Sequence, residues 1–144
     1  GQLEMYEQDL DDEGQTPESW AAFREEVKGL DGVMFVTPEY NRSIPPVLKN
    51  ALDIASRPYG ENAWNDKPGA IVSVSPGAVS GFGANHHLRQ VLTFLNVHAM
   101  AQPEAYLGSV LNFINEDGTI KEDTIKFLQV IVDAYVAWYN RSSN

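Results

Sequence analysis

Two short stretches of this chain carry residue types suited to holding a ligand. The first is Pro38-Glu39-Tyr40-Asn41-Arg42-Ser43, a polar loop between an apolar run and a proline-led segment. The second is Ser75-Pro76-Gly77-Ala78-Val79-Ser80-Gly81-Phe82-Gly83, built of small residues. Glycine there permits positive φ and close approach of backbone to a ligand. Each stretch also fits a plain connector, the first as a βα turn with a cap-like Asn and Ser, the second as a generic loop. Neither contains a nucleophile–base–acid triad, a paired-carboxylate site or a metal motif. His86 and His87 are sequence neighbours and would point about 100° apart on a helix, so they cannot share a metal as an i, i+4 pair could. His98 lies at a helix end, and all three histidines are expected at the surface or an interface. Glu7, Asp9, Asp11, Asp12 and Glu13 lack the ligand spacing of a calcium loop, and they are expected to form a solvated acidic loop. Cysteine is absent, which excludes disulfides and thiolate catalysis.

The elements that must position the two loops follow from periodicity. Val33-Met34-Phe35-Val36 is too short for a helix and rich in strand formers, so a buried strand is expected, ending at Thr37-Pro38. A helix then starts at Ile44-Pro45-Pro46 and runs to Arg57, with Val47, Leu48, Ala51, Leu52 and Ala55 on one face. Upstream, Thr16 is the expected N-cap and Pro17 the first residue of a helix whose stripe is Trp20, Phe23, Val27 and Leu30. Leu3, Met5 and Tyr6 fit either the end of a strand or the start of a loop. Gly69–Val74 is a second strand. The aromatic loop Pro58–Pro68 places Trp64 on the core, or against a partner or substrate. Helix Ala84–Asn96 buries Leu88, Val91, Leu92 and Leu95. A short strand, Val97–Met100, is broken at Gln102–Tyr106, and Val110–Ile114 is expected to resume pairing. The last helix, Asp123–Tyr139, shows a stripe of Ile125, Leu128, Val132, Tyr135 and Tyr139, broadened by Ile131, Val136 and Trp138. The alternation predicts an α/β domain with a parallel sheet. In such sheets ligands sit outside the carboxyl ends of the strands, where both loops lie.

The string PEYNRSIPPVLKNALDIASRP, from Pro38 to Pro58, resembles the flavin-contacting loop and following helix of the NADPH-dependent FMN reductase family. That family includes bacterial chromate and quinone reductases. HLRQVLTFLNV, from His87 to Val97, is similar to the same family. The resemblance implies a flavodoxin-like fold, an open parallel sheet with helices on both faces, FMN as cofactor and NADPH or NADH as reductant. It implies that Pro38, Glu39, Tyr40 and Asn41 line the isoalloxazine ring, with Ser43 in the same loop. A flat ring with donors and acceptors on one edge suits exposed backbone groups at a strand end. Ser75, Gly77 and Gly81 are the contacts implied on the second loop, although Ser80 stands where relatives often have glycine. No stretch resembles the family's phosphate loop, and LEMYEQDLDDE, Leu3 to Glu13, is similar to the segment that follows the family's second strand. Residues 1–144 are therefore expected to form a single flavodoxin-like domain that is N-terminally incomplete, lacking the first two strands and the phosphate loop. An upstream segment of roughly 45 residues, two strands and a helix, is expected to cover the Val33–Val36 edge.

Charge and composition bound the function. A net charge of −10 argues against binding nucleic-acid backbones. No run reaches the roughly 20 apolar residues of a membrane span, and the acidic start has neither the basic region nor the apolar core of a signal peptide. With no cysteine, a cytoplasmic protein is expected. The resemblance implies an FMN-dependent NAD(P)H oxidoreductase reducing quinones, chromate or related small-molecule acceptors, its chemistry carried by the flavin rather than by a catalytic side chain. A flavin-binding electron-transfer module without turnover, and an interaction domain that lost the phosphate loop, are the alternatives. A homodimer or homotetramer is expected, associating through helix Pro46–Arg57, the loop containing Trp64 and helix Ala84–Asn96.

Overall fold

The computed structural model describes residues 2–142. Its elements run α1 (Gln8–Asp12), α2 (Glu18–Lys28), β1 (Val33–Pro38), α3 (Pro46–Ala55), β2 (Pro68–Val74), α4 (Phe82–Phe94), β3 (His98–Ala99), β4 (Ala105–Leu107), a 3-10 turn (Val110–Phe113) and α5 (Glu122–Ser142). All strand pairings are parallel, with β2 at the centre. β1 lies along one side of β2, in register from Val33↔Gly69 to Pro38↔Val74. β3 pairs with the start of β2 and β4 with its end, so the third rank is one line interrupted between Met100 and Glu104.

Side-chain alternation along the strands separates two cores, as a period of two requires. Val33, Phe35 and Ile71 face Leu52, Trp64, Leu88 and Leu92, in the layer built by α2, α3 and α4. Met34, Val72 and Val74 face Leu128 and Ile131 of α5, together with Val110 and Phe113. Helices therefore cover both faces. The outer edge of β1 has no strand beside it among the described residues, and Val36 on that strand is 65% exposed. Ile125, Val132 and Val136 of α5 are exposed as well.

Several elements differ from the sequence expectation, each for a physical reason. Residues 8–12 form a helical turn rather than a solvated loop, because Asp11 is drawn inward by Arg24 at 2.6 Å. Thr16 does not cap α2: its hydroxyl donates to Asp11 Oδ1 at 2.7 Å, and Pro17 occupies the N-cap position. Of the two alternatives for Leu3, Met5 and Tyr6 the structure shows the loop, where Tyr6 N–H donates to Asn50 Oδ1 at 2.8 Å and Asn50 Nδ2 donates to Glu4 O at 2.9 Å. That pairing puts Asn50, not Val47, on the buried face of α3. The strand expected at Val110–Ile114 falls instead at Ala105–Leu107, and Val110–Phe113 is a 3-10 turn. On α5, Ile131 is the residue fully buried, while Ile125 and Val132 face outward. Trp64, by contrast, takes the core position expected for it over the partner or substrate alternative, its Nε1 donating to Leu52 O at 3.0 Å.

Candidate functional site

The register Pro38↔Val74 brings both loops out of the sheet at the same level, from adjacent strands. Parallel neighbours lie about 4.8 Å apart, so a thin ligand can touch both loops. The first loop closes into a two-residue hairpin, Tyr40 N–H donating to Ser43 O and Ser43 N–H to Tyr40 O, each at 2.9 Å. Asn41 and Arg42 fill its tip with φ of 50° and 66°. This is the doubly positive turn that suits tight hairpins, and Asn tolerates it better than Arg. Tyr40 is exposed, and Asn41, also exposed, has no hydrogen-bond partner among the described residues.

The hairpin is docked on the first turn of α4. Glu39 Oε2 accepts the Ala84 N–H at 3.0 Å, and its Oε1 accepts from Arg42 Nη1 at 3.0 Å. Ser43 Oγ lies 3.0 Å from His87 Nδ1. The backbone N–H of Ala84, then Arg42, hold the Glu39 carboxyl below its ordinary range. A carboxyl with a depressed pKa stabilises the docked form above the usual Glu range, and that contribution is lost as pH falls through the lowered value.

The second loop is anchored from beneath and from the far side. Ser73, fully buried, donates its hydroxyl to Ser80 O at 2.9 Å and lies 3.5 Å from Asn85 Nδ2. Gly77 O accepts from both Ser80 and Ser109, and Ser75 N–H donates to Leu107 O at 2.8 Å. Ser75 Oγ accepts the Gly77 N–H at 3.1 Å. Gly81 adopts φ of 70°, and a Cβ there would meet the Ser73 Cβ at 2.9 Å, so its lack of a side chain serves the fold. Gly77 differs: an added Cβ would meet only Ser75 Oγ at 3.5 Å. Beside this loop, His86 Nε2 lies 2.9 Å from the Tyr106 hydroxyl, which donates to Glu104 at 2.8 Å, and the Phe82 ring sits 4.1 Å from the imidazole. Burial first, and then Glu104, push the Tyr106 pKa up.

Pro38, Tyr40, Asn41 and Ser43 thus share one hairpin, and Ser75, Gly77 and Gly81 the neighbouring loop. Glu39 stands apart, since its carboxylate is committed to α4 and Arg42. Sequence reasoning missed His87, Ser73, Asn85 and Gly83 as parts of this frame. Only Gly83 left a trace, as one more glycine in the second loop. The residues fit a flat heteroaromatic ring: an exposed aromatic side chain, an unpartnered amide and a glycine whose added Cβ would meet only Ser75 Oγ line adjacent strand ends.

Residues 1–111 match the profile of the NADPH-dependent FMN reductase family. The chain is 51% identical over 138 residues to a quinone reductase of Pseudomonas putida, an alignment covering 96% of this chain and 74% of that protein. A 2-hydroxy-1,4-benzoquinone reductase of a Burkholderia species is 48% identical over 139 residues, covering 96% and 75% respectively. Among solved structures, FerB, a flavoenzyme NAD(P)H:(acceptor) oxidoreductase from Paracoccus denitrificans, superposes with a TM-score of 0.88 at 39% identity, covering 98% of this chain and 77% of that one. The chain belongs to the NADPH-dependent FMN reductase family, and its parallel sheet is that of a flavodoxin-like protein.

Proposed function

We propose that this chain is an FMN-dependent NAD(P)H oxidoreductase whose acceptors are quinones. The observation that carries the reading is the pair of adjacent strand-end loops, fixed to one another through α4, with Tyr40, Asn41 and Gly77 left open toward a ligand. Family membership supplies FMN and NAD(P)H, and relatives named as quinone and benzoquinone reductases favour quinones over the chromate that the sequence also suggested. FMN, when bound, would supply the redox chemistry between NAD(P)H and the acceptor. The protein's own part is positional. The hairpin Pro38–Ser43 offers polar backbone to the ring edge, and Tyr40 offers an aromatic surface. Ser75, Gly77 and Gly81 form the opposite wall, where Gly77 leaves room for the ring. The open edge of β1 offers a pairing surface for a further parallel strand, whichever segment or chain supplies it. Steady-state NADPH oxidation tests the function: FMN-dependent turnover with 1,4-benzoquinone supports it, and FMN binding without turnover would reduce the protein to an electron carrier.

Association is part of this reading. A groove of about 690 Å³ separates α3 from α4, lined by Lys49, Asp53, Tyr59, Gln90 and Phe94. Tyr59 and Phe94 are 93% and 90% exposed, too apolar for a solvated rim. We place the homodimer contact on this face, with Tyr59 rather than the buried Trp64 as the aromatic contribution of the loop. Light scattering after size-exclusion chromatography should show a dimer or tetramer that Phe94→Glu converts to monomer. A monomeric parent protein at micromolar concentration would remove the interface. Among the described residues no helix is long and apolar enough to cross a membrane. A cytoplasmic location is proposed from the absence of cysteine.

A further inference from the structure

α4 begins without a cap of its own. Its N-cap is Gly81, in a left-handed conformation and with no side chain to offer. The first N–H groups of a helix need acceptors, and their summed dipole favours an anion. Here the anion comes from 45 residues upstream: Glu39 Oε2 accepts from Ala84 at 3.0 Å. The approach is close enough that a Cβ on Gly83 would lie 2.8 Å from Arg42 O and 2.9 Å from Glu39 Oε2. Hairpin and helix are therefore spaced by a charge-assisted hydrogen bond at a position that admits only glycine. Arg42, with 71% of its side chain exposed, adds little to the hold.

Two consequences follow for a ligand between the loops. The α4 N-terminus is already filled by a carboxylate, so it has no room for the phosphate of a cofactor. The start of α3 is no substitute, because Pro45 and Pro46 have no N–H to donate. Only the ring end of a flavin then belongs at these two helix starts. The Glu39 carboxylate, bonded to Ala84 and Arg42, ties the hairpin to the helix that ends the opposite loop.

We infer that Glu39 is a positioning residue for the flavin ring, acting through the N-terminus of α4 and not by contact. This role rests on the reading that the hairpin and the glycine loop hold FMN. The test uses the full chain and its Glu39→Ala, Glu39→Asp and Glu39→Gln variants. Amide hydrogen exchange at Gly83 and Ala84, read without flavin, reports the clamp itself. The FMN dissociation constant, read by quenching of flavin fluorescence, reports its effect on the ring. Loss of a hydrogen bond to a charged group corresponds to about a tenfold or larger weakening. Glu39→Ala should speed exchange at Ala84 and raise the FMN dissociation constant at least tenfold. Glu39→Asp, one methylene short, should behave alike although it keeps the charge. Glu39→Gln, whose amide oxygen still reaches Ala84, should recover most of the affinity. Faster exchange with unchanged FMN affinity would overturn the role while leaving the site intact. Unchanged exchange in Glu39→Ala would overturn the clamp. A parent protein showing no FMN response at residues 38–43 would overturn the site, and this role with it.

Discussion

Gly83→Val should cost the protein at least a tenfold loss of FMN affinity while leaving far-UV circular dichroism nearly unchanged. The new Cβ would arrive 2.8 Å from a backbone oxygen, that of Arg42, and 2.9 Å from the Glu39 carboxylate. A backbone atom cannot swing aside as a side chain does, so the hairpin must lift from α4. Displacements near 1 Å in a ligand-positioning element are worth up to about a hundredfold in rate, which sets the expected scale. The strain falls on strand-end loops rather than on either core, and overpacking of this kind costs about 1–3 kcal/mol in stability. Gly77→Ala is the informative control. Its methyl meets only Ser75 Oγ at 3.5 Å within the protein, so any loss of FMN affinity there reports contact with the ligand. Equal, unaltered FMN binding in both variants would remove the second loop from the site.

The largest effect on stability should come from Arg24→Ala, at about 3–5 kcal/mol, the usual cost of stranding one partner of a buried ion pair. Arg24 is 7% exposed and donates to Asp11 Oδ1 at 3.0 Å and Oδ2 at 2.6 Å, and through Nε to Ile54 O at 2.9 Å. Its removal strands the Asp11 carboxylate and leaves the Ile54 carbonyl without this donor, at the seam between residues 8–12, α2 and α3. The same pair gives an acid limb to the stability curve. The Arg24 hydrogen bonds hold the Asp11 carboxyl below the ordinary aspartate range. Its contribution is therefore complete above that range and is lost as pH falls through the depressed value. Urea unfolding across pH should show this loss in the parent protein and a flatter acid limb in Arg24→Ala. Equal midpoints for the two proteins at neutral pH would contradict the assignment.

How much of this was legible in the sequence depended on whether the deciding interaction was local. β1 and β2 were readable because short β-branched runs bounded by Pro and Gly leave few other conformations. The positions of the two strand-end loops were readable for the same reason: Thr37-Pro38 and Ser75-Pro76-Gly77 mark where strands stop. Arg24, Asn50 and Asp11 were not, because a charged or amide side chain earns a buried position only through a partner far along the chain. β4 was misplaced because Gln102-Pro103 looks like an end, and only pairing with Val72–Val74 shows that the strand line continues beyond it. On α5, apolar residues spread around much of the helix, so periodicity could not rank Ile131 above Ile125 and Val132, although only Ile131 of the three is buried by the sheet. The partner of the Glu39 carboxylate was not legible either. It accepts from an amide 45 residues away, which no local pattern announces.

The central claim is that FMN lies between the Pro38–Ser43 hairpin and the Ser75–Gly83 loop. Titrating FMN into isotopically labelled protein and following its backbone amide resonances tests that claim directly. The account predicts that the largest shifts fall on Tyr40, Asn41, Ser43, Gly77 and Gly81, with those of Tyr59 and Phe94 in the α3–α4 groove unmoved. Shifts concentrated at Tyr59 and Phe94, with the two loops silent, would contradict it.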